Sequence, residues 1–340
     1  MRNQPHKPTS ADIARLAGVS RSTVSRVVNG YENVPEGTRK RINAVIERCG
    51  YYPSVSGQTL RGKRARCICV FSGVDGMRDE TRAAMLLAFS KSAQALGYMT
   101  LSGPEGDYGA ADSRRTVREV LCCGCVDAGV FLSASGGETL LRQLLAEGQT
   151  IGVIGTPADG GGRLFTVEPD PRAAREAAEY AFSLGYRRAL VLGSTRSCPG
   201  GDALPERFIG IAREIGLDIE RTQLTDSLSA RRAADAALSR RDGARLLICL
   251  DQEAVFAAYR AAWAQGLAVG RDLSVLGIGL LSPDLPLWPP LTAFRADAQE
   301  LADSLARRLI GSLEGEAEVL HHERIPCVRL EGGSCARGTA

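Results

Sequence analysis

The chain has 340 residues, 44% of them hydrophobic and 24% charged, too long for one ordinary domain and too apolar for a disordered chain. No apolar stretch reaches the roughly 18 residues of a membrane span, and residues 1–9 lack the apolar run of a secretory signal, so a cytoplasmic protein without a membrane partner is expected. The net charge of +3 hides an asymmetry: up to Arg66, thirteen Lys and Arg face four Asp and Glu, and the remainder is mildly acidic; a basic head of this kind suits a polyanion.

Three helical patterns occupy the first fifty residues. Thr9 and Asp12 stand at the reciprocal spacing of a capping box, and Ile13, Leu16 and Ala17 follow as an i, i+3, i+4 apolar face. Gly18 permits a sharp turn, and Ser20 can cap the next helix. A second helix over 21–29 sets Val24, Val27 and Val28 against Arg21, Ser22, Ser25, Arg26 and Asn29 on the opposite face. A third starts near Pro35 and Glu36, buries Ile42, Val45 and Ile46, and ends at Gly50.

A helix, a short Gly-containing turn and a second helix with a polar outer face make the helix-turn-helix pattern. Arg21 and Ser22 open the second helix, where side chains reach base edges in the major groove; Arg grips guanine at two acceptors. Ser20, Thr23 and Ser25 carry short hydroxyls suited to phosphate oxygens, as does the cap region at Thr9. After Pro53, Ser54 can open and Gly62 can close a helix of barely two turns, too short to persist alone.

From Arg66 the texture changes to short apolar strands alternating with amphipathic helices. Strands are expected at 67–72, 128–132, 151–155, 189–193, 246–250 and 273–279, and helices at 81–96, 140–147, 171–184 and 253–265. This alternation predicts parallel sheets covered on both faces, and its length favours two doubly wound α/β lobes over one very wide sheet. The last residues, 331–340, read as a frayed end.

Other chemistry finds little support. Cys67, Cys69 and Cys249 lie in apolar runs and read as small hydrophobes. Cys122, Cys123 and Cys125 lack a second Cys or His pair at zinc spacing, so no metal is expected. The glycines at 152, 155 and 160–162 miss the dinucleotide-binding spacing, and no phosphate loop or nucleophile elbow appears. Only His6, His321 and His322 are present, which argues against a catalytic histidine. No enzyme activity and no cofactor are expected.

The run from Thr9 through Ala17-Gly18-Val19-Ser20 and Thr23-Val24-Ser25-Arg26-Val27-Val28-Asn29 closely resembles the LacI/GalR family of bacterial repressors. The likeness continues through Val34-Pro35-Glu36-Gly37-Thr38-Arg39 and Gly50-Tyr51-Tyr52-Pro53, and more weakly over nearly the whole chain. It implies a helix-turn-helix domain at 1–52, a hinge and linker at 53–64, and a periplasmic-binding-protein-like core at 65–340. Lobe one is then expected at about 65–165 plus 294–330 and lobe two at about 166–293. The resemblance implies base reading by Arg21, Ser22 and Arg26, and backbone contacts from Ser20, Ser25, Asn29 and Thr38, with Tyr51 closing the motif. Leu60 matches a leucine that wedges into the minor groove of a double-stranded operator. Gly57 departs from the family's better helix formers at about 1 kcal/mol.

The resemblance further implies a homodimer on a pseudo-palindromic operator, repressing transcription under control of a small-molecule effector, a sugar or another metabolite, in the inter-lobe cleft. Arg207 matches an effector-gripping arginine, and Asp251 the aspartate of an Asn-Asp pair whose Asn is here Leu250. The family's two carboxylates after the turn at Gly277 are replaced by Gly279 and Leu280, which weakens the case for an ordinary sugar. Asp170 reads first as a helix cap and second as a cleft residue, and Trp288 as a cleft platform or a packing residue. The alternative is a diverged regulator without an effector, controlled by a protein partner, abundance or cysteine redox state.

Overall fold

The computed structural model describes residues 8–28, 30–51, 64–72, 80–104, 106–108, 110–132, 138–155, 163–193, 203–221, 227–239, 244–279, 285–316 and 321–337. The chain divides into two compact units, Met1–Ala65 and Arg66–Ala340.

The first unit is all helical: α1 Ser10–Ala17, α2 Arg21–Val28 and α3 Glu36–Cys49. Its core gathers Ile13, Ala14, Ala17, Val24, Val27, Val34, Ile42 and Val45. Leu16, expected inside, is half-exposed, and Ala14 takes the inward place. The small alanines at 14 and 17 let α1 pack closely on its two neighbours, where a leucine would hold them apart. Ile46 is only partly buried. Pro35 precedes α3 as its N-cap rather than its first turn, and Gly50 ends it in the left-handed region at φ 58°.

The second unit holds two six-stranded sheets. In chain order the elements of the first lobe are β1 Cys67–Phe71, α4 Glu80–Ala95, β2 Met99–Ser102, α5 Ala111–Cys122, β3 Ala128–Phe131, α6 Glu138–Ala146, β4 Ile151–Ile154 and β5 Leu164–Pro169. The chain then crosses to the second lobe with α7 Arg172–Ser183, β6 Arg188–Leu192, α8 Ala203–Glu214, β7 Asp218–Arg221, α9 Ser227–Ser239, β8 Leu246–Cys249, α10 Gln252–Ala264, β9 Ser274–Gly279 and β10 Thr292–Arg295. It returns with α11 Ala298–Glu314 and β11 His322–Ile325, and crosses once more to β12 Val328–Leu330.

The first sheet runs β11-β5-β4-β3-β1-β2, every pair parallel. The second runs β12-β10-β9-β8-β6-β7, parallel except where β12 adds antiparallel to β10. The inner strands β1, β3, β4, β8 and β9 are buried along their whole length, as expected of parallel strands with helices on both faces.

Sheet membership moves the lobe limits. Lobe one keeps β5 as far as Pro169, beyond the expected 165, because β5 pairs β4 and β11. Lobe two keeps β10, expected to have left it at 294, because β10 pairs β9. Residues 328–330 also belong to lobe two, where the expectation placed them in lobe one.

The tail corrects another expectation. Ser334 is fully buried, its Oγ donating to Val275 O at 2.6 Å and accepting from Thr292 N at 2.8 Å. Val275 N donates to Ser334 O at 2.9 Å, and Ala336 N to Ser274 Oγ at 2.9 Å. Residues 331–337 are therefore strapped along β9 instead of frayed, since their polar groups satisfy backbone that would otherwise be buried unpaired.

Candidate nucleic-acid interface and effector cleft

The capping box at the start of α1 is complete. Thr9 N and Thr9 Oγ1 both donate to Asp12 Oδ2, at 3.0 and 2.7 Å, and Asp12 N donates to Thr9 Oγ1 at 3.3 Å. Gly18, at φ 64°, closes α1 by returning its N–H to Ala14 and Arg15 carbonyls. This left-handed residue turns the chain sharply enough to start α2 three residues later.

At the mouth of α2 the hydroxyls of Ser20, Ser22 and Thr23 form one cluster. Ser20 Oγ lies 2.7 Å from Ser22 Oγ and 2.8 Å from Thr23 Oγ1, and accepts from Thr23 N at 3.1 Å. The expected Ser20 cap is present in this form. Val24 and Val27 point inward, whereas Arg21, Ser22 and Arg26 are exposed and Ser25 is half-buried. Thr38 is half-buried in the first turn of α3, its N–H on Pro35 O at 2.9 Å. Tyr51 is half-buried and packs against the head's core. Asn29, Leu60 and the hinge at 53–63 lie outside the described residues. Arg39, which the sequence marks only as part of the Val34–Arg39 run, donates from Nη2 to Tyr31 O at 3.0 Å and ties the loop before α3 to that helix.

In the body, both sheets aim their carboxyl ends at the crossovers. β5 and β11 run in parallel and end together, with Asp170 N donating to Ile325 O at 2.7 Å; β10 leaves lobe two at Arg295. Ligands of open α/β sheets bind beyond the carboxyl ends of the strands, which fixes where a cleft residue must stand.

Three of the four expected effector residues stand at that end. Asp251 follows β8 and caps α10, Oδ1 accepting from Ala254 N at 2.7 Å. It abuts Gly193, just past β6, where a Cβ would come within 2.7 Å of Leu250 Cβ and 3.1 Å of Asp251 Oδ2. Only glycine allows this approach. Arg207 is exposed in the first half of α8, the helix that follows β6. Asp170 is buried in the first crossover, and Arg172 occupies both its oxygens, through N at 2.8 Å and Nε at 2.8 Å. The Arg172 side chain and amide hold its carboxyl below the usual range.

Trp288 belongs elsewhere. It is 88% exposed and precedes β10 at the amino end of the second sheet. The neighbouring Pro289 packs near Gly270, ahead of β9, and its carbonyl accepts from Tyr259 Oη at 2.8 Å. Trp288 is thus neither a cleft platform nor a packing residue, because its loop is pinned at the far end of the strands. Arg82 was missed: nearly buried at the start of α4, it donates from Nη1 to Ser72 O at 3.3 Å, just past β1 on the cleft side. A single arginine in an apolar helix gave no periodic signal.

Comparison with known proteins agrees with this geometry. Residues 9–54 match the model for bacterial regulatory proteins of the lacI family, and residues 178–335 that for a periplasmic binding protein-like domain. The sucrose operon repressor of Escherichia coli is 25% identical over 94% of this chain and 97% of its own length. The HTH-type transcriptional regulator reg1 of Streptomyces lividans is 28% identical over 90% of each chain. Among solved structures, the lac repressor dimer bound to operator and the anti-inducer ONPF superposes with a TM-score of 0.84 at 20% identity, covering 97% of this chain and all of that one. The head with its exposed second helix, the two parallel-sheet lobes and both family matches lead to one assignment: this chain joins a helix-turn-helix domain of the lacI family of bacterial regulatory proteins to a periplasmic binding protein-like domain, as do relatives that are DNA-binding regulators of transcription and not enzymes.

Proposed function

We propose that the chain is a cytoplasmic repressor that binds a pseudo-palindromic operator as a homodimer and responds to a small molecule held between its lobes. The observation that carries this is the build of α2: two inward valines anchor it, and Arg21, Ser22 and Arg26 stand exposed on its outer face. Arg21 and Ser22 read bases, joined by Arg26. Thr9, Ser20, Thr23, Ser25, Asn29, Thr38 and Tyr51 hold the backbone, and Leu60 wedges the centre of the site.

Two exposed apolar areas support the homodimer. Leu87 on α4 is 71% exposed, and Met99 and Leu101 stand out on the edge strand β2. In the second lobe Trp263 on α10 is 83% exposed, with Phe256 on the same helix. Large apolar side chains in such numbers mark a surface made to be covered.

Arg207, Asp251 and Asp170 form the effector set, and Arg82, held on Ser72 O past the carboxyl end of β1, joins it. Relatives named for sucrose and cellobiose make a sugar one class of effector, other metabolites being the second. A specific observation favours the reading without an effector: Asp251 and Asp170 already accept backbone N–H groups. Calorimetry against sugars, nucleosides and organic acids separates the two, since a ligand that alters operator affinity establishes effector control and silence across all classes removes it.

The test of the whole proposal is selection of bound fragments from the source genome at physiological salt. A short palindrome should be recovered, and Arg21→Ala should cost about 1–3 kcal/mol and relax preference at one base pair of each half-site. Salt-sensitive binding without sequence preference would overturn it.

A further inference from the structure

Cys122 ends α5, and the turn from there to β3 carries Cys123 and Cys125; all three are exposed. Gly124 bends it at φ 74°. Cys125 N donates to Cys123 Sγ at 3.4 Å, so the chain folds the third cysteine back over the second. Residues two apart span at most about 7 Å even when extended, close to the upper end of the Cα separations that a disulfide bridges, and the chain between these two is bent.

Cys122 faces another way. Its Sγ lies 4.0 Å from Glu147 Oε2 and takes Gln149 Nε2 at 3.7 Å, whereas Cys123 Sγ points back to Val120 O at 3.0 Å. The three sulfurs therefore do not converge, and no group of three metal ligands occurs among the described residues. A pair remains, and the chemistry open to an exposed pair is thiol–disulfide exchange.

We propose that Cys123 and Cys125 form a reversible intrachain disulfide by exchange with a low-molecular-weight disulfide, making this turn a redox modification site of lobe one. Cys123, whose sulfur receives the Cys125 amide, attacks as thiolate. It takes one sulfur of the small disulfide and releases the other as thiolate. Cys125 then loses its proton, attacks the Cys123 sulfur and expels the second small thiolate. Both protein thiols are oxidised, and the small disulfide is reduced to two thiols that carry the two protons away. A side-chain hydrogen bond with Cys123 and the charge of its sulfur push the Cys125 thiol up.

The site has a physical connection to the rest of the lobe. Two residues beyond Cys125, Asp127 clasps the first residue of β1: Cys67 N donates to Asp127 Oδ2 at 3.2 Å, and Asp127 N donates to Cys67 O at 2.8 Å. Two hydrogen bonds thus tie the end of this turn to the strand through which the chain enters the lobe. The other described cysteines of the body are buried or partly buried. Burial pushes Cys69 and Cys327 up to about 12 and Cys335 to about 11, and raises Cys67 and Cys249 as well.

The test equilibrates the full-length protein in glutathione buffers of graded ratio, then alkylates free thiols and maps the modified peptides by mass. Oxidising buffers should leave the peptide bearing these cysteines two hydrogens lighter and with two fewer alkylated thiols, and reducing buffer should restore both. Cys123→Ser and Cys125→Ser should each abolish the bridge, while Cys122→Ser leaves it intact. Stable glutathione adducts without a bridge, a bridge using Cys122 or Cys67, or one joining two chains would overturn the proposal. None of these readouts depends on DNA binding, so the site stands or falls apart from the repressor reading.

Discussion

Replacing Thr9 with alanine removes the hydroxyl that receives Asp12 N and leaves the first turn of α1 uncapped. The expected cost is about 1 kcal/mol, and hydrogen exchange of the α1 amides should speed up about fivefold while the body's amides are unchanged. Asp170 sets a second expectation. Its carboxyl is held low by the Arg172 side chain and amide, so its contribution is complete above the unfolded carboxylate value near pH 4. That contribution disappears as pH falls through the depressed folded value. Urea midpoints measured against pH should therefore drop on the acid side of pH 4, and Asp170→Asn should be less stable at neutral pH with a flatter acid limb. Asp272 works in the same window, held at about 2 by Arg271 and the Ala268 amide. Much of this was legible beforehand. The Thr9–Asp12 pair, Gly18 and Ser20 announce themselves because caps are local chemistry at fixed spacing. Arg82 and Arg39 did not, because their partners are backbone carbonyls that sequence spacing does not mark.

Among the elements, the buried strands were the easiest to read and the edge strands the hardest. β1, β3, β4 and β8 are unbroken apolar runs and β9 is one after Ser274, and each begins and ends within a residue of its expected bounds. β2, β7, β11 and β12 lie at or near sheet edges and alternate or mix polarity, so they carry no run to detect. β11 is held by polar contacts instead: Glu168 on β5 meets Arg324 Nε at 3.0 Å and His322 Nε2 at 3.4 Å. The strap over 331–337 escaped notice for a related reason, since it is short and polar and buries a serine. Ser334→Ala should leave Val275 O and Thr292 N without their buried partner. A loss of about 1–3 kcal/mol in urea unfolding is expected, larger than for a surface serine such as Ser239 changed in the same way.

On the scale of the whole molecule, the exposed apolar surface and the order of the chain matter most. If α4 and β2 lie in a dimer interface, Leu87→Lys with Met99→Lys should yield monomers by sedimentation, and the monomers should lose most operator affinity while retaining the fold by circular dichroism. The lobe plan was visible as strand–helix alternation, but the crossing points were not, because a crossover is a choice of sheet and not a local pattern. Three crossings leave each lobe built from separated stretches, with β11 completing one sheet and β12 the other. During synthesis the helical head is finished by Ala65, whereas neither lobe can close its sheet until residues beyond 320 have emerged. At about 5–20 residues per second, the head waits roughly a quarter of a minute to a minute with an unfinished body behind it. A nonsense codon anywhere in that long interval leaves the same product: a complete DNA-reading head on an unclosed, apolar remnant. Loss-of-function stops should therefore be as severe near the end of the reading frame as near its middle.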